Sequence, residues 1–126
     1  MNQTMRFSMI ISSSVIIFGV VFFSIFLVRQ SPEAMQSATV VLEEKGFEPR
    51  EITIKKGTTV TFTTSRNKPF WPASNLHPSH TIYPEFDPMH PLQPSETWEF
   101  TFDRLGDWAY HDHLRSYYVG TVHVVE

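Results

Sequence analysis

The stretch Glu51-Ile52-Thr53-Ile54-Lys55-Lys56-Gly57-Thr58-Thr59-Val60-Thr61-Phe62-Thr63-Thr64 decides the fold class. Ile52 and Ile54 alternate with polar neighbours, and Val60 and Phe62 alternate with threonines. A period of two places apolar side chains on one face of a β-strand. Lys55-Lys56-Gly57 reads as a turn joining two such strands. Upstream, Thr39-Val40-Val41-Leu42 and Gly46-Phe47-Glu48-Pro49 continue the pattern. Downstream, Trp98, Phe100 and Phe102 alternate with Glu99 and Thr101, Gly106 turns the chain into Asp107 to His111, and Thr121 to Val125 closes it. Short strands with turn punctuation at intervals of about eight to twelve residues are the pattern of an all-β sandwich or barrel. Ser65 to Ser79 and Pro84 to Pro94 read as long loops stiffened by proline, with Thr81-Ile82-Tyr83 as a short extended piece between them. No helical stripe and no internal repeat interrupts this reading, which assigns residues 38–126 to one domain.

The amino-terminal part differs sharply. Residues 1–8 form a short segment carrying Arg6, and residues 9–28 are apolar, broken only by Ser12, Ser13, Ser14, Gly19 and Ser24. As a helix rising about 1.5 Å per residue, that run reaches roughly 30 Å, the thickness of a bilayer core. It is long for the apolar part of a signal peptide, and no Ala-x-Ala site follows it. We read it as one transmembrane helix, with a cleaved signal as the alternative, and residues 29–37 as a linker. The domain then lies on the extracytoplasmic side of the cell membrane, held to the lipid bilayer by residues 9–28, or is secreted if the segment is removed. All 13 acidic residues lie beyond residue 30, against 10 Lys and Arg in the whole chain. That balance argues against nucleic acid as a partner. The absence of cysteine excludes a disulfide framework, a lipoprotein anchor and a thiolate metal ligand. Stability must come from packing, for which the 14% aromatic content supplies bulk.

Four of the six histidines fall in two tight groups. His77 and His80 stand in His-Pro-Ser-His, and His111 and His113 flank Asp112 at the end of the strand that carries Trp108 and Tyr110. Imidazole suits borderline transition metals. The candidate ligands are His80, His111 and His113, with His77 next, its backbone conditioned by Pro78. In a continuous strand His111 and His113 share one face and Trp108, Tyr110 and Asp112 the other, which should be the core; the histidines then look outward, or sit at the strand end where a loop takes over. Asp112 is a candidate ligand, an acceptor for a ligand's second N–H, or a cap for the following loop. His90, Glu85 and Met89 are weaker candidates in the second loop. His123, between Val122 and Val124, reads as solvent-facing. Trp71, Trp98 and Trp108 read as core or as a collar around the site.

These residues resemble the cupredoxin family over about Ala38 to Glu126. Gly46-Phe47-Glu48-Pro49 with Ile52, Ile54, Gly57, Val60 and Phe62 resembles its early strands. Glu96-Thr97-Trp98-Glu99-Phe100, Gly106, Trp108-Ala109-Tyr110 and Gly120-Thr121-Val122 resemble its last three. The resemblance implies a Greek-key β-sandwich, with His80 at the first copper ligand. It also places Asp112 at the cysteine of blue-copper members, and Arg115 and Tyr118 at the later ligand positions, so no blue site can form. Gly106, Trp108, Tyr110, His111 and His113 are similar instead to the His-x-His motif of multicopper oxidases.

The resemblance implies copper binding with electron transfer or copper handling, with a redox or copper-donor protein as partner. With the apolar segment and the absence of cysteine, the reading is a membrane-anchored copper-binding protein with a cysteine-free site. Zinc is the chemical alternative, since three imidazoles and a water make a good zinc site. Two rivals remain. One is a copper oxidase-like enzyme whose site lies at the interface of a homo-oligomer. The other is a metal-free sandwich acting as an interaction module, for which the imidazoles should each have ordinary hydrogen-bond partners and lie far apart.

Overall fold

The computed structural model describes residues 35–126. The anchor expected over residues 9–28 lies outside them, and no helix among the described residues is long and apolar enough to cross a membrane. The described residues form strands β1 (Met35–Glu43), β2 (Gly46–Glu48), β3 (Glu51–Thr64), β4 (Pro72–Ser74), β5 (Trp98–Phe102), β6 (Gly106–Asp112) and β7 (Arg115–Val125). The class is all-β, as the alternation required. The hydrogen-bonded order is β2-β1-β3-β7-β6-β4, with β5 also on β3. The sheet is mixed, because β1 and β7 each run parallel to β3.

The expected turn at Lys55-Lys56-Gly57 is absent, and β3 runs straight through it for 14 residues. The physical reason is a change of partner. The first half of β3 pairs with β7, from Glu51 opposite Thr121 to Lys55 opposite Val125. The second half pairs with β1 and β5, Val60 lying opposite both Ala38 and Phe100. Gly57, at φ 87°, supplies the left-handed backbone at the crossing that a side chain would oppose. The register with β1 slips there, between Met35 and Ser37. β3 therefore links two parts of the mixed sheet, the first half beside β7 and the second beside β1 and β5.

Both halves deliver their apolar face inward. Ile52, Ile54, Val60 and Phe62 are buried with Val40, Leu42, Phe70, Tyr83, Phe86 and Tyr110. The core is an aromatic lattice: Phe62 meets Tyr110 edge-on at 5.5 Å, Phe86 stacks on Trp98 at 5.6 Å, and Phe47 tilts against Tyr110 at 4.8 Å. Each such pair adds about 0.5–1.5 kcal/mol beyond the area it buries. Trp98 and Trp108 pack at the core's edge, half-buried. Tyr110 fills the space above Gly120, where a Cβ would overlap its ring and hydroxyl.

Two further expectations are corrected. Ser65 to Ser79 is not all loop, for Pro72–Ser74 forms β4 against β6. Thr81-Ile82-Tyr83 is not extended but turns. Ser74 explains this, because its buried hydroxyl lies 3.0 Å from the His80 carbonyl and 2.8 Å from the Tyr83 carbonyl, gathering the segment around one point.

Candidate metal centre

His77, His80, His111 and His113 converge, one nitrogen of each lying within 4.8 Å of the others. All four come from one chain. The strand segment delivers two of them by breaking its own alternation. The β6–β7 register is regular to His111 opposite Val119 and then jumps to Asp112 opposite Arg115. Beyond that irregularity His113 sits in the turn, where its N–H donates to the Trp71 carbonyl at 2.7 Å. The alternative expected for the pair, a place at the strand end where a loop takes over, holds for His113, whereas His111 is still in the strand but does not face solvent. It is only 2% exposed, because Asn75, His77 and His80, from the loop that follows β4, pack around its ring.

The loop segment delivers the other two. The His80 N–H donates to the Leu76 carbonyl at 2.6 Å, and His80 itself takes φ 51°. A left-handed conformation costs a non-glycine residue roughly 1–2 kcal/mol, so the contacts with Ser74 and Leu76 hold His80 where the free chain would not put it.

The four imidazoles divide into two kinds. His80 Nδ1 lies 2.6 Å from Asp87 Oδ2, and His111 Nδ1 lies 2.8 Å from Asn75 Oδ1. Both partners accept, so each ring carries its proton on Nδ1 and turns a bare Nε2 to the centre. His77 Nδ1 faces His111 Nε2 at 3.1 Å, and His113 Nδ1 faces His80 Nε2 at 2.9 Å. With Nε2 of His80 and His111 as acceptors, these contacts are made by the Nδ1–H tautomers of His77 and His113; to hold a metal through Nδ1, those two rings would carry their protons on Nε2 instead.

Asp87 is the hub of the loop side. Its Oδ1 accepts the Trp71 indole N–H at 2.7 Å and the Met89 backbone N–H at 2.7 Å. Burial pushes its carboxyl upward, but the hydrogen bonds from Met89, His80 and Trp71 outweigh this and hold it below its ordinary value. Burial, then the neighbouring His80, His77 and His113, pushes His111 down to about 4. Burial, then His80 and His77, holds His113 below the usual range. Trp71 covers His113, ring centres 4.4 Å apart, forming the expected collar on that side.

Asp112 does not join the cluster. Its Oδ1 accepts the backbone N–H groups of Trp71 at 2.8 Å and Leu114 at 3.3 Å, while Oδ2 lies 3.4 Å from Arg115 Nη1. It is the loop cap among its three expected roles, and burial raises its carboxyl against those contacts. His90 and Met89 are exposed and lie outside the cluster, and Glu85 pairs with Arg104. His123 is half-buried rather than free, with Asp107 2.7 Å from its Nδ1. Asn75 and Asp87 were not foreseen. Asp87 had a signal in its sequence, since an Asp before Pro in a stiff loop commonly binds the N–H two residues on. Asn75 had none.

Solved structures of the same shape are cupredoxins. A purple cupredoxin from Nitrosopumilus maritimus aligns with a TM-score of 0.61 at 24% identity, over 70% of this chain and 99% of that one. The chain has the cupredoxin fold. An amicyanin variant in its Cu(I) form aligns with a TM-score of 0.61 at 20% identity, over 73% of this chain and 85% of that one. A copper-containing nitrite reductase from Thermus scotoductus SA-01 aligns with a TM-score of 0.58 at 21% identity, over 71% of this chain but only 22% of the enzyme. No protein-family model and no curated protein matches the chain. On this cupredoxin fold the donor set is nitrogen throughout. Four imidazoles, two with fixed protons, fit a divalent transition ion.

Proposed function

We propose that this domain binds one copper ion through His77, His80, His111 and His113. The observation that carries the reading is the convergence of four imidazole nitrogens from a single chain, two of them locked by Asp87 and Asn75. Intrinsic affinity favours copper over zinc.

The neighbours of this fold carry copper in the names of two of the three proteins described, which supports the same choice. Without a thiolate the centre suits holding Cu(II) better than the rapid electron exchange of blue sites. We therefore favour copper handling over electron transfer as its role, on an extracytoplasmic domain tethered by residues 9–28 and exchanging copper with a protein partner. The oxidase-like alternative needed a second copy to complete its site. The shell offered here needs none.

The test is loading of the full chain with Cu(II) in the presence of equimolar Zn(II), followed by metal analysis and electron paramagnetic resonance. One copper per chain, nitrogen hyperfine structure and no intense blue absorption are expected. Preferential zinc uptake removes copper from the proposal. Equal copper retention by the His111→Ala/His113→Ala double variant removes the site itself.

A further inference from the structure

A second feature of the domain has the chemistry of a ligand site. The β6–β7 irregularity leaves Ser116, Tyr117 and Tyr118 unmatched between the pairs His111–Val119 and Asp112–Arg115. This bulge and the β1–β2 hairpin enclose a cleft of about 160 Å³, lined by Lys45, Gly46, Phe47, Arg50, Tyr117, Tyr118 and Val119. Bulges of this kind occur beside functional sites more often than elsewhere.

No carboxylate lines the cleft, although the chain as a whole is acidic. Among the described residues, Lys45 and Arg50 find no acidic partner, whereas Arg66 nearby pairs with Glu44 and Arg115 with Asp112. Phe47 forms an apolar floor, 3% exposed. Tyr118 is committed, since its hydroxyl donates to the Glu44 carbonyl at 3.0 Å and Arg66 covers its ring at 5.1 Å. Tyr117 packs against it at 4.5 Å yet remains 71% exposed. An exposed aromatic ring beside a pair of unneutralised cations has the parts needed for a planar anion. The ring takes one face, and the guanidinium fork takes a carboxylate.

We propose that this cleft binds a small aromatic carboxylate, its anionic group between Lys45 and Arg50 and its ring against Tyr117. An inorganic anion would use the cations and leave Tyr117 without a part. A neutral ring would leave both cations unused. The site stands whether or not a metal fills the imidazole cluster.

Benzoate is the probe, titrated into the 15N-labelled full chain and followed by amide chemical shifts. For a ligand of this size a millimolar Kd is the expected range. Saturable shifts should centre on Lys45, Gly46, Arg50, Tyr117 and Val119. Acetate, inorganic phosphate and benzyl alcohol should each bind at least tenfold more weakly. The Lys45→Gln/Arg50→Gln variant should abolish saturation, and Tyr117→Ser should weaken benzoate to the level of acetate. Unchanged shifts elsewhere confirm that these exposed positions leave the fold intact, and Tyr117→Leu replaces Tyr117→Ser if they do not. Absence of saturation at tens of millimolar benzoate overturns the proposal. So does phosphate, acetate or benzyl alcohol matching benzoate, or unaltered benzoate binding by the double variant.

Discussion

His80 and His111 differ from His77 and His113 in one respect that governs the centre. The first two are buried and hydrogen-bonded on the nitrogen that faces away from the cluster, to Asp87 and Asn75. The second two are more exposed, and their contacts run inward to the first pair. Sequence spacing hides this difference, for each segment contributes one residue of each kind. In the proposed site the anchored pair would set where an ion sits and the other pair would adjust around it, a rigid half-shell beside an adjustable one.

Removing an anchored ligand breaks this division most severely. His111→Ala should lower copper affinity by more than the ~10–100-fold typical of losing an outer partner, measured by competition with a chelator of known affinity. Gly120→Ala attacks the anchored half from behind. The new Cβ collides with Tyr110, which pairs with Gly120 and precedes His111 in the chain. Overpacking of that kind costs about 1–3 kcal/mol, and should appear as a lower denaturation midpoint. Asp87→Asn and Asn75→Ala sharpen the comparison. Each leaves all four ligands in place, yet should weaken copper about 10–100-fold. A variant as tight as the wild type would show that the anchors are incidental.

Acid should separate the two states of the domain. In the metal-free fold His111 is held down to about 4 and His113 below its usual range. Imidazoles of the unfolded chain take protons near ~6.5. Between these values the unfolded state binds more protons, so stability must fall as pH drops from about 6.5 toward 4. Asp87, held below its ordinary value in the fold, extends the loss to lower pH as it protonates. Melting temperatures of the metal-free chain at several pH values should show this slope, and a flat profile would contradict the burial of His111. The smallest effect is expected for His77→Ala. Its ring is exposed and lacks an outer partner among the described residues, so copper affinity should fall by less than for Asp87→Asn. A larger loss at His77 than at Asp87 would reverse the assignment of rigid and adjustable halves.

The alternation of Ile52, Ile54, Val60 and Phe62 made the β class legible, and the clustering of four histidines made the centre legible. Local pattern failed where a long-range partner decided the outcome. Lys55-Lys56-Gly57 has the composition of a turn, but β1, β5 and β7 all pair with β3 and keep it a single strand. His111 belongs by parity to the outward face, yet Asn75, His77 and His80 of the following loop pack around it. Asp112 was placed correctly toward the interior, but the N–H groups of Trp71 and Leu114 claim its oxygen. Asn75 and Asp87 act through distances that only the folded loops create.

One strand shared by both parts of the sheet has a mechanical corollary. Because β3 gives its first half to β7 and its second to β1 and β5, neither part can melt while the other persists intact. Unfolding should be a single cooperative event. Copper loss, acid or a core lesion would then be felt together at the imidazoles and at the cleft beside the bulge.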